Sequence, residues 1–173
     1  MTDLLWHYTI GDRWFLIQEA RYLKLATAMI GKGERGAVWF SRNQDYEPTA
    51  FKGPGWQHNG VVTMGMRLEL RRLGHGLWRI GVDPATAPVS WEQFKETSGI
   101  DPIIAYGLTG AGRKQGADPA DWYCSYAEVP EERWRRVDFW FNGGWMPDPS
   151  WAPLPPVTFA GIDDTFGLGK GAT

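Results

Sequence analysis

Three short stretches carry side chains able to do chemistry. In LLWHYTI (4–10) a histidine stands inside an apolar, strand-like run, and strand alternation puts His7 and Thr9 on one face and Tyr8 on the other. In VWFSRN (38–43), Ser41 ends an apolar run and Arg42 and Asn43 follow it. In CSYAEVP (124–130), Glu128 falls in phase with Tyr126 and Cys124 of a strand-like run. Polar groups on strands expected to be buried either face a cleft and hold a ligand or are satisfied parts of a core. Each has such a plain alternative: His7 as a core histidine, Ser41 as a cap of the following turn, Glu128 as a solvent-facing strand residue.

Other chemistries lack their signatures. No GxxxxGK[ST] loop occurs, and no GxGxxG follows a strand. The glycine-rich GLTGAGRKQG (107–116) is expected to be a mobile surface loop. His7, His58 and His75 lack HxH or HxxxH spacing, and a single cysteine cannot build a Cys/His zinc site. DPATAP and GIDDTFG lack the liganding pattern of a calcium loop. Cys124 has no partner for an intramolecular disulfide, which suits a reducing, cytoplasmic compartment. A dyad of Cys124 with a histidine is not excluded by spacing.

These residues need elements to hold them. The 173 residues suit one domain, and a formal charge of −2 is unlike the strongly basic footprint of a generic nucleic-acid binder. Local basic clusters exist nonetheless, at Arg67, Arg71, Arg72 and Arg79 and at Arg133, Arg135 and Arg136. The 11 tryptophans are spread along the chain, as core or rim residues of a sheet-rich fold, with two or three available as stacking walls for a planar ligand. Strands are expected at 4–9, 37–41, 61–70 and 77–83, and in the run leading into AEVP. ERWRRVDFWF-NGG-WMP reads as a hairpin. A helix is expected after Gly11 with Asp12 as its cap, and a second, WEQFKETSG, capped by Ser90 and closed by Gly99. NQDYEPTAFKGPGWQHNG reads mostly as loop. The sum is an α+β domain over 1–146 with strands outnumbering helices, followed by a Pro/Gly-rich tail over 147–173. No basic leader with an apolar core opens the chain, and no apolar run approaches membrane-spanning length, so no membrane partner is expected.

The order of these motifs resembles the ADP-ribosyltransferase-like superfamily. Members carry a histidine on the first strand as H-x-T or H-Y-T, then a helix, then a strand of the form apolar-W/H-F-S/A, and a late glutamate. Here these are His7 and Thr9, the helix from about Asp12, Val38-Trp39-Phe40-Ser41, and Glu128, across roughly residues 4 to 142. Glu47, Glu92, Glu131 and Glu132 compete with Glu128 for the last place. The resemblance implies a split, mixed or antiparallel sheet whose halves form a cleft for NAD. It implies His7 and Glu128 as catalytic residues and His7, Tyr8, Thr9, Trp39, Ser41 and Arg42 as the NAD-binding set. His7 and Thr9 would meet ribose hydroxyls, and Ser41 the nicotinamide amide. Glu128 would steady the oxocarbenium-like ribose left when nicotinamide departs. The implied function is a transferase of the toxin or defence-effector type. Its acceptor is open between nucleic acid and protein, and there is room for an antitoxin or other regulatory partner. Two alternatives remain: a non-catalytic binding module with a Trp-rich surface, and an RNA 2′-phosphotransferase-like enzyme on the same fold.

Overall fold

The structure, a computed structural model, describes residues 3–27, 30–50 and 76–151. Strand β1 (Leu5–Ile10) pairs along its whole length with β4 (Leu77–Val82), from Leu5 opposite Val82 to Ile10 opposite Leu77. β4 pairs with β8 (Trp134–Phe141), and β8 turns into β9 (Gly144–Pro147). The turn residues Asn142 and Gly143 have φ of 47° and 86°, the left-handed geometry that Asn-Gly supplies to a tight hairpin. On the other side of β1 lie β3 (Val38–Ser41), β6 (Trp122–Ser125) and β5 (Val89–Ser90). The result is an antiparallel seven-stranded sheet in the order β5-β6-β3-β1-β4-β8-β9. A separate two-stranded ladder joins β2 (Tyr22–Leu23) to β7 (Val129–Pro130).

Both sheet faces are covered, which is why LWHYTI and LWRIGV are apolar almost throughout rather than alternating. One face buries Leu5, Val38, Phe40, Ile80, Val82 and Val137 under Trp14 of helix α1 (Gly11–Ala20), together with Leu23 and Val129 of the small ladder. Each fully buried aliphatic side chain there contributes about 1.5–3 kcal/mol. The expected Asp12 cap is not made. Ile10 holds the cap position with no side-chain bond, and Asp12 sits in the first turn, where a carboxylate favours the helix dipole. α1 ends at Arg21, in the left-handed region at φ 60°.

The opposite face packs Trp122 and Cys124 against helices α2 (Trp91–Thr97) and α3 (Pro102–Lys114). α2 starts as expected: Ser90 Oγ accepts from Gln93 N at 3.3 Å, and Gln93 Oε1 accepts from Ser90 N at 2.9 Å. The loop expected at 107–116 is instead mostly helix, since α3 runs to Lys114. Asp101 accepts bonds from Ile103 N and Ile104 N, and Pro102 is pre-set for the first helical turn. Three helical glycines weaken α3 by about 1 kcal/mol each against alanine. Gly112 offsets this by letting the backbone lie directly on the Trp122 ring, where any side chain would collide.

The chain stays tied to the fold past the expected boundary at 146. β9 reaches Pro147, buried Asp148 accepts from Trp78 Nε1 at 2.9 Å, and Trp151 packs against the core. The expected strand at 61–70, most of the loop after Ala50, His58, His75 and the tail from 152 onward lie outside the described residues. Among the described residues no helix is long and apolar enough to cross a membrane.

Candidate ligand cleft where the sheet parts

β1 and β3 are neighbours in the sheet, yet a single facing pair, Trp6 with Ser41, registers them. Beyond it His7–Ile10 stay paired to β4 and Val38–Phe40 stay paired to β6, but not to each other. At the far end Ala37 takes Ala26 as its partner instead. His7 stands where the ladder stops. Its Nδ1 lies 2.9 Å from the Trp39 carbonyl oxygen and donates to it, and its ring meets the Phe40 edge at 5.9 Å. That bond fixes the tautomer and leaves Nε2 as an acceptor with no partner among the described residues. Desolvation holds the imidazole below its ordinary pKa, the Trp39 bond opposes this, and the nearby Arg13 charge adds to it. His7 is therefore neutral at pH 7. The hydroxyl of Thr9, a residue 4% exposed, also has no hydrogen-bond partner among the described residues.

Register pairs assign each residue to a face, because opposed residues point the same way. Phe40 opposes Tyr123, and Val38 opposes Ser125. His7, Thr9, Tyr123 and Ser125 therefore share the face carrying α1. Arg42 joins them, its guanidinium 4.8 Å from the Tyr123 ring and bonded to the phenol oxygen. Glu128 is not in a strand, contrary to the alternation read from CSYAEVP. β6 ends at Ser125, whose Oγ donates to Ala127 O at 2.8 Å and accepts from Ala127 N at 3.1 Å. This bend breaks the alternation and leaves Glu128 exposed, one residue before β7. A serine two residues ahead of the turning amide is the local signal that could have indicated it.

The other expected ligand contacts face away. Trp39 packs its ring on Phe94 at 4.6 Å and Trp91 at 5.8 Å, and only its carbonyl reaches His7. Ser41 is buried and donates to Glu47 Oε2 at 2.8 Å. Tyr8 donates its hydroxyl to Asn43 O at 2.5 Å, and burial pushes its phenol well above the ordinary range. Of the six expected NAD contacts, His7, Thr9 and Arg42 share a face, whereas the side chains of Tyr8, Trp39 and Ser41 lie on the other. Cys124 opposes Trp39 and so faces away from His7, which removes a thiol–imidazole dyad of these two residues. Arg13, exposed in the first turn of α1, is a residue near His7 that spacing alone does not reveal.

That opposite face holds a structural polar layer. Arg79 and Asp138, opposed on β4 and β8, form a buried ion pair at 2.7 Å, and Arg79 lies 3.9 Å from the Trp6 ring and 4.7 Å from the Trp145 ring. Arg79 is thus neither a solvated face nor a phosphate track. Arg135 and Arg136 pair with Asp83 and Asp138. Among the described residues no group of three or more His, Cys, Asp or Glu could hold a metal ion. Compared with family models, with curated proteins and with solved structures, the chain finds no match.

Proposed function

We propose that this protein is a NAD-dependent ADP-ribosyltransferase. The observation that carries the reading is the imidazole of His7 set at the parting of β1 and β3, with a ring nitrogen and, on the same strand face, a Thr9 hydroxyl that have no partner among the described residues. A neutral Nε2 accepts a bond from a ribose hydroxyl, and Thr9 can give or accept one. In the proposed reaction the bond between the nicotinamide nitrogen and ribose C1′ breaks, and its electron pair leaves with nicotinamide. A lone pair of the acceptor then forms the new bond to C1′, and the acceptor's proton passes to Glu128 or water. Glu128 steadies the positive charge that builds on the ribose between the two events. For the RNA 2′-phosphotransferase alternative, Arg79, Arg135 and Arg136 are engaged with carboxylates, which leaves Arg13 and Arg42 as the described cations near His7 for phosphate contacts.

The test is label transfer from adenylate-labelled NAD to a mixture of RNA, DNA and protein. Transfer is expected with the natural chain and is expected to fall by ~100-fold or more in Glu128→Gln. Because NAD would bind only the folded chain, it should also raise the melting temperature. Absence of both transfer and a melting shift at millimolar NAD would overturn the assignment.

A further inference from the structure

A groove of about 260 Å³ opens on the same face as His7, walled by Phe15, Trp78 and Phe139, with Gln18 and Asp148 at its edge. The Trp78 ring is held firmly. Its Nε1 donates to Asp148 Oδ2 at 2.9 Å, and Trp14 stacks on it at 6.5 Å with an 18° interplanar angle. Phe15 stands 6.4 Å from the same ring and is 59% exposed, a poor place for an apolar side chain that covers nothing. Asp148 is fully engaged, since its other oxygen accepts from Ser150 N and Ser150 Oγ. The half-buried Gln18 amide is not, having no partner among the described residues.

We infer that this groove seats a nucleobase. Aromatic walls take a flat ring by stacking, and a primary amide, donor and acceptor side by side, matches the edge of a base. Engaged carboxylate oxygens and the lack of a lining cation among the described residues argue against a phosphate lying in the groove itself. Trp78 opposes Thr9 in the β1–β4 register, so the groove lies on the strand pair and face that carry Thr9 and His7. Resting on the proposed transferase reading, the groove makes the acceptor a nucleic-acid base. The same chemistry would also suit the adenine of a dinucleotide.

The experiment titrates 2-aminopurine riboside monophosphate, whose fluorescence is quenched by stacking on indole. Saturable quenching is expected, weakened about tenfold or more by Phe15→Ala and by Gln18→Ala. Both variants should keep the natural melting temperature, because neither side chain belongs to the buried core. Competition by a short single-stranded oligonucleotide but not by NAD identifies an acceptor base; competition by NAD identifies its own adenine and overturns the acceptor assignment. No saturable quenching at millimolar probe, or quenching unchanged in both variants, overturns the groove. NAD-dependent melting shifts and label transfer with a silent groove would leave the transferase reading standing without this site. Quenching without any NAD effect would do the reverse.

Discussion

The Nδ1 of His7 and the carbonyl oxygen of Trp39 lie 2.9 Å apart across the parting of β1 and β3. A side chain there does what a backbone amide does elsewhere in the ladder, and in doing so orients the second ring nitrogen.

A pH dependence follows. Burial lowers the pKa of His7 in the folded chain, while the unfolded chain takes up its proton near the ordinary 6.5. Between those two values the unfolded state binds more protons, so stability falls as pH drops through 6.5 toward the folded midpoint. Above about pH 7.5 His7 contributes no slope, because both states are then neutral. Melting temperatures recorded from pH 8 to pH 5 should decline on the acid side, and less steeply in His7→Gln. A folded-state midpoint above 6.5 in an NMR titration would refute the placement.

The Arg79–Asp138 pair is expected to matter through what its loss leaves behind. Asp138→Ala strands a buried guanidinium between Trp6 and Trp145 and should cost about 3–5 kcal/mol in denaturant unfolding. The double variant Arg79→Met with Asp138→Leu, which removes both charges, should recover much of that loss. Equal losses in the two would contradict the uncompensated-charge account.

Glu47 ties the loop after β3 to β6. Its carboxylate accepts from Ser41 Oγ, Thr49 N, Thr49 Oγ1 and Trp122 Nε1 while only 5% exposed. Glu47→Ala leaves several buried donors without acceptors and should cost about 2–3 kcal/mol. Glu47→Gln keeps one acceptor oxygen and should cost about 1 kcal/mol. Denaturation midpoints of the two variants give the comparison.

Cys124 should be inert. It is fully buried, and desolvation pushes its thiol up to about 12 against a small opposing effect of Arg35. A disulfide-exchange reagent at pH 8 should leave the native thiol unmodified and react with it promptly in denaturant. Rapid native-state modification would mean that β6 is not packed against Trp39 and Val89 as described.

Much of the framework was legible in the chain. Near-continuous apolar runs gave β1, β3 and β4, Asn-Gly between aromatic runs gave the β8–β9 turn, and Ser90 with Gln93 gave the start of α2. These are local signals, fixed by φ, by alternation or by a side chain three residues away. What tertiary structure decided was whatever depended on a distant partner. Gly112 belongs in a helix because Trp122, ten residues on, lies where its side chain would be. His7 and Cys124, which spacing left free to meet, are on opposite faces because registers through β3 and β6 put them there. The residue types at the strand parting were written in HYT; the parting itself comes from two strands each keeping its outer neighbour and meeting the other at one pair only, a choice no local stretch encodes.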